Sequence, residues 1–241
     1  MSIAIQLYSL RDYHRGDIDG MLEKLAAIGY AGVEFAGFYG LSAGETAGLL
    51  KKHNLAAAGS HVGADLLRAD LRGAAEYHQA IGCRHISIPH YTFPNAAAID
   101  ALAAETAGWV PVLAEYGITL SYHNHGHEFE KIDGTYILDR LAAAAPELAF
   151  QIDCGWSYAA GVDTPAYVAA LGARCVSLHI KDIVMRDGRP ISVAVGTGEM
   201  DYCPIIAAAN VEWLIVEVEE SAAGDGFVEV AESWRNLKEL V

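Results

Sequence analysis

The sequence predicts a single closed (β/α)8 barrel of the TIM-barrel class, on three observations. Eight short β-like runs alternate with Ala- and Leu-rich helical stretches, a pattern that makes parallel sheets. The 241 residues match the usual size of one such barrel, with two small domains as the alternative on length alone. Several runs also carry polar side chains on one face and aliphatic ones on the other, which suits a sheet closed around a functional interior.

The runs lie at 3–8 (IAIQLY), 32–36 (GVEFA), 55–61 (LAAAGSH), 84–90 (RHISIPH), 118–124 (ITLSYHN), 148–153 (LAFQID), 174–181 (RCVSLHIK) and 212–219 (EWLIVEVE). Helical patterns fill the gaps at 17–29, 98–117 and 163–172. In the last, Asp163 or Thr164 is placed to cap, Pro165 to open the first turn and Gly172 to stop it. Gly29 and Gly117 end helices a few residues before the next run. No composition break marks a linker. An open Rossmann-like sheet is the alternative, but no G-x-G-x-x-G follows the first run.

Period-2 alternation sorts the side chains. Ile3, Ile5 and Leu7 oppose Gln6 and Tyr8; Leu120 and Tyr122 oppose Ser121 and His123; Phe150 and Ile152 oppose Gln151 and Asp153. Val176, Leu178 and Ile180 oppose Ser177, His179 and Lys181, and Leu214, Val216 and Val218 oppose Ile215, Glu217 and Glu219. The aliphatic faces suit the outer helices, so the polar faces point inward. Burying that many polar groups costs several kcal/mol unless they are paired or bound to something. They gather toward the C-terminal ends of the runs, where barrel active sites are built.

The composition is 53% hydrophobic and 20% charged, that of a well-buried globular protein. No apolar run is expected to reach the roughly 18–20 residues of a membrane span. No basic region or cleavage site precedes the first run, so the expected location is the cytoplasm and no membrane partner is expected. A net charge of −15, from 31 acidic against 16 basic residues, repels phosphate backbones and argues against a nucleic-acid partner. Cys83, Cys154, Cys175 and Cys203 form no CxxC pair and read as reduced, mostly buried thiols. Assembly into a homo-oligomer is left open.

Asp153, His179 and Glu217 each end, or nearly end, a late run on its inward face. Oxygen and imidazole donors without cysteine suit one divalent ion, Mn, Mg, Co or Zn. A fourth donor is expected from YHNHGHEFE, which holds His123, His125, His127 and Glu128 just past the fifth run.

The chain resembles the xylose-isomerase-like barrel superfamily of sugar phosphate isomerases and epimerases, which includes inosose dehydratase and the apurinic endonucleases. The resemblance is carried nearly end to end by IQLYSLRD, GYAGVEFAGFYG, YHNHGHEF, DCGW, SLHIKD, VGTGEMD and WLIVEVEE. It implies a metal held by an acidic residue after the fifth strand, then by Asp, His and Glu from the sixth to eighth, here Asp153, His179 and Glu217. Many such epimerases carry a Glu on the fifth strand as both ligand and base, where this chain has His123. Glu128 is therefore the expected fourth ligand, with His123 as the substitute.

Further expectations concern the cavity. Lys181, two residues beyond His179 on the same face, could reach a substrate oxygen or shuttle a proton; burial near a metal would lower its pKa. Its alternative is a salt bridge to Asp182 or a glutamate. Glu34 is read as orienting a substrate hydroxyl or pairing with Arg11, while His61, His90 and His125 line the cavity. Trp156, Tyr8 and Phe38 would wall a sugar ring. The Gly-rich VGTGEMD loop is a candidate anion cradle. The expected substrate is a small sugar, keto-sugar or cyclitol. The expected reaction is proton transfer next to a carbonyl through a metal-stabilised enediolate, with Glu217, Lys181 or His123 moving the proton. Elimination from a keto-cyclitol or 3-keto-glycoside is the alternative reaction. An apurinic endonuclease and a non-catalytic sugar-binding barrel are the remaining alternatives.

Overall fold

In the computed structural model, which describes residues 1–13, 16–219 and 225–241, eight parallel strands close into a barrel. They are β1 (Ser2–Gln6), β2 (Gly32–Phe35), β3 (Ala56–His61), β4 (His85–Ile88), β5 (Thr119–His123), β6 (Ala149–Asp153), β7 (Cys175–Ile180) and β8 (Trp213–Val216). β1 pairs with β8 to close the ring, aligning Ala4 with Ile215. All eight fall on the expected runs, trimmed at their ends. The first run loses its tail, which coils into a 3-10 turn over Leu7–Leu10, with the Gln6 side chain accepting from the Tyr8 N–H at 3.0 Å. Tyr8 therefore leaves the strand for the rim. Glu220, the last residue of the WLIVEVEE motif, lies outside the described residues.

Helix ends follow local chemistry. Asp17 caps helix Ile18–Ile28, and Gly29 closes it at φ +117°, a conformation that a Cβ would strain. Ser42 and Glu45 form a reciprocal capping box on helix Ala43–His53. Asp163 caps Thr164–Leu171 as expected, with Pro165 in its first turn. The 20-residue helix Ala96–Glu115 corrects the expectation about apolar length, being long and apolar enough to meet the span criterion. It buries Ile99, Leu102, Trp109 and Leu113 and packs on β5 and the neighbouring helices.

Outward side chains such as Ile3, Ile5, Ile86, Leu120, Phe150 and Leu178 make one continuous core with the helices. Inside, the floor is a separate small apolar plug of Ala4, Ala58, Trp213 and Ile215. Gly32 makes room for it, since a Cβ there would meet Trp213 and the Ala56 carbonyl. Above the floor comes a polar layer with Gln6, Glu34, Ser121, Gln151 and Ser177, all buried.

Two antiparallel hairpins, Asp182–Arg186 with Arg189–Val193 and Lys131–Ile132 with Thr135–Tyr136, decorate the rim and were not expected. Both turn on Asp-Gly pairs in the left-handed region, Asp187–Gly188 and Asp133–Gly134. That dipeptide is the strongest short-range hairpin signal and stood in the sequence.

Candidate metal centre

The register brings the late-strand residues together. Asp153 pairs with His179 across β6 and β7, and His179 aligns with Ile215 on β8, so Glu217 lies one inward step above the floor. His123, Asp153, His179 and Glu217 each offer a ligand atom, all within 4.8 Å of one another, and all four are buried. His179 Nδ1 lies 2.9 Å from Glu217 Oε2 and 4.0 Å from Asp153 Oδ2, so this nitrogen faces the cluster.

The other ring nitrogen looks down. His179 Nε2 lies 2.6 Å from Glu34 Oε2. Glu34 is fully buried and accepts from Gln6 Nε2 at 2.8 Å and Gln151 Nε2 at 2.7 Å. His61 Nε2 meets Gln151 Oε1 at 2.8 Å. Gly59 leaves room for this network, since a Cβ there would press on Glu34 Oε1. Glu34 is thus a buried support under His179, out of the cavity and away from Arg11, which corrects its expected place among substrate contacts. Arg11 instead donates to the Tyr8 and Glu219 carbonyls at 3.0 and 2.8 Å. Gln6 and Gln151 were missed as members of the network, although both stood on inward faces.

Lys181 is almost fully buried, its Nζ 2.9 Å from Asp153 Oδ2, 3.0 Å from Glu217 Oε2 and 2.8 Å from Glu219 Oε1. Burial works against its charge, but the three carboxylates outweigh it and raise its pKa. The expected lowering is corrected: Lys181 is a fixed ammonium.

The neighbours titrate accordingly. Burial opposes the charges on Glu34 and His179 alike, yet His61 and His179 hold Glu34 at about 2, and Glu34 with Glu217 pushes His179 up to about 10. Burial raises Asp153 to about 6 against the pull of Lys181. Glu217 stays well below the usual carboxylate range because Lys181 and His179 outweigh its burial. Burial and then the nearby imidazolium charges keep His123 neutral.

Glu128 stands apart from this cluster. Its Oε1 accepts from Tyr122 Oη at 2.6 Å and its Oε2 from the His125 backbone N–H at 2.7 Å. His127 Nε2 lies 3.0 Å from the same Oε1. Glu128 is committed to these partners and lies outside the group of four potential ligands, in which His123 stands beside Asp153, His179 and Glu217. The geometry therefore favours the substitute, His123, over Glu128.

The residues fit a divalent ion. Among the described residues, His123 Nδ1 and Asp153 Oδ2 are buried without a hydrogen-bond partner, although Asp153 Oδ2 lies 2.9 Å from Lys181 Nζ. Four carboxylates, Glu34, Asp153, Glu217 and Glu219, face the cations Lys181 and His179, a surplus of negative charge that an ion would offset. Two imidazoles and two carboxylates suit Zn, Mn or Co, and suit Mg less well.

A cavity of about 590 Å³ opens above the cluster, lined among others by Tyr8, His61, His90, His123, His125 and Glu217. Trp156 supports this wall, its ring 5.7 Å from that of His125 and 5.2 Å from Lys181 Nζ. Phe38 does not belong to it. Its ring packs 4.1 Å from Tyr77 and 5.0 Å from Phe35 on the outer side, which corrects its expected role. The VGTGEMD loop does cradle an anion, but an internal one. Gly196 and Gly198 donate backbone N–H groups to Asp182 Oδ2 at 2.8 and 3.0 Å, and Met200 N donates to Oδ1 at 3.2 Å.

A closed parallel barrel with its ionisable groups at the C-terminal rim defines a class of small-molecule enzyme folds. The sequence profile of the xylose isomerase-like TIM barrel matches residues 22–237, and the chain belongs to that family. Among solved structures it is similar to a sugar phosphate isomerase/epimerase from Parabacteroides distasonis, with 21% identity, 98% of this chain and 93% of that chain covered, and a TM-score of 0.84. It is similar in fold to the IolI protein with a bound zinc atom, at 12% identity over 100% and 98% of the chains and a TM-score of 0.79. An L-ribulose 3-epimerase aligns at 13% identity over 99% and 93%, with a TM-score of 0.78. No curated protein sequence matches the chain.

Proposed function

We propose that the protein is a divalent-metal-dependent isomerase or epimerase of a small sugar, keto-sugar or cyclitol, acting by proton transfer next to a carbonyl. The observation that carries this reading is the buried His123–Asp153–His179–Glu217 cluster at the base of an open cavity. A bound ion would supply Lewis-acid polarisation of a carbonyl and its neighbouring hydroxyl.

The protein's own groups do the rest. Glu217 borders the cavity, and Lys181 and His179 hold one of its oxygens, so it meets a substrate ionised and oriented. It takes the proton from carbon and returns it, to the adjacent carbon in isomerisation. Lys181, locked by its carboxylates, keeps a positive charge beside the oxygens that gain charge in the transition state. His61 and His125 present imidazoles to hydroxyl groups from the cavity wall.

One observation favours elimination as a second reading. The β5 position in the cluster is His123, not a carboxylate, so β5 brings no acidic base to the cluster. An imidazole wall suits protonation of a leaving hydroxyl.

Deuterium uptake from heavy water into a panel of keto-sugars, inososes and 3-keto-glycosides tests both readings. Metal-dependent exchange at carbon is expected, and product structure separates isomerisation, epimerisation and loss of water. No exchange with any member of the panel by fully metal-loaded protein sinks the proposal.

A further inference from the structure

We propose a second divalent-cation site on the cavity mouth, built from His90, His125 and His127 and sharing no ligand with the cluster below. His90 follows β4 beyond Pro89, and His125 and His127 follow β5 on either side of Gly126. Their ring centroids are 5.1 Å (His90–His127), 5.8 Å (His90–His125) and 6.0 Å (His125–His127) apart. One nitrogen from each lies within 4.8 Å of the others. Donors around one zinc sit about 3.4 Å apart, so these exposed and half-buried rings would rotate to close on an ion.

Two observations beyond proximity point to an ion. The first is that His125 Nδ1 is buried with no hydrogen-bond partner among the described residues. The second is an outer shell already in place. Glu128 is pinned by Tyr122 Oη and by the His125 N–H, and it holds His127 Nε2 at 3.0 Å. The Tyr91 carbonyl lies 3.2 Å from the same nitrogen. With Nε2 committed, Nδ1 of His127 is left to bind, the carboxylate–histidine arrangement that orients metal ligands elsewhere. Glu128 thus serves the motif through His127 and not as a ligand of the cluster below.

Three imidazoles select borderline cations such as Zn, Ni or Cu over Mg. Three protein ligands leave a coordination position open. His90 and His125 border the same cavity as His123 and Glu217, so that position faces the substrate space. A second ion there would take an oxygen or anionic group at the far end of a substrate held over the first.

The test is metal stoichiometry of tag-free, full-length protein, stripped with chelator and titrated calorimetrically with Zn. Wild type is expected to bind two equivalents. His90→Gln and His127→Gln should each bind one, and Asp153→Asn should bind one, at the histidine site. Glu128→Gln should weaken only the second equivalent, by about 10- to 100-fold. One equivalent in wild type, or two that survive both histidine variants, overturns the second site. Two equivalents in Asp153→Asn would instead overturn the lower cluster, so the two failures are distinguishable. Circular dichroism of each variant confirms that a lost equivalent is not a lost fold.

Discussion

The floor and the rim of the barrel interior lie on the same strands and have opposite chemistry. Along β8 the inward positions run Trp213, Ile215, then Glu217 just past the strand; along β1 they run Ala4, then Gln6. Two residues of rise, about 6.6 Å, separate a dry plug from an ionised cluster. The floor is held by shape, with small residues fitted round Trp213. The rim is held by charge, with buried cations shared among more carboxylates than they neutralise. Stability and function can therefore be altered separately by changing one position at each level.

The comparison breaks most completely at the rim. His179→Ala or Asp153→Ala should abolish binding at the lower cluster and the proton exchange that depends on it, read by calorimetry and heavy-water labelling. Full occupancy of the cluster in either variant would remove it from the account. At the floor, Ile215→Ala should cost about 2–4 kcal/mol of stability by denaturant unfolding, while metal affinity stays within twofold. Equal losses of affinity and stability would mean that the two levels are mechanically coupled. Between them, Glu34→Gln should weaken metal binding by about 10- to 100-fold through a loosened His179, with little change in the unfolding midpoint. Its distinguishing signature is the ¹⁵N shift of the His179 ring, which a purely structural role would leave in place.

Taken per pH unit, the smallest expected effect is one of pH. Metal-free His179 is held protonated, with a pKa pushed up to about 10 by Glu34 and Glu217, so an ion must displace that proton. Affinity should rise by about tenfold per pH unit below that value and fall as pH drops. Glu34→Gln should flatten the slope, and a flat wild-type profile would argue that His179 binds without releasing a proton.

Much of this was legible before any coordinates. Period-2 alternation identified the inward faces, and with them Asp153, His179, Lys181 and Glu217, because a strand has only two sides. What the sequence did not determine was depth. Glu34 and His61 end neighbouring strands, yet one is sealed under the cluster and the other reaches the cavity. That difference comes from strand register, including the irregularity between Val33 and Glu34. The placement of Glu128 was hidden for a related reason. A loop residue has no periodicity, and its direction is set by Tyr122 and the His125 amide. The sign of the Lys181 shift depended on Glu219 and Asp153 arriving from other strands. The Asp-Gly hairpins are different, since their signal stands in the sequence itself.

Asp182 has a consequence for the order of the glycine loop it holds. Its carboxylate satisfies backbone amides of a loop that would otherwise wait for an external anion. Lys181, the next residue back, is held separately by Asp153, Glu217 and Glu219. A flexible glycine loop would have to order itself at each encounter, lowering affinity by that entropy. Here the ordering happens once, when the chain folds, and the loop is fixed by the protein's own carboxylate.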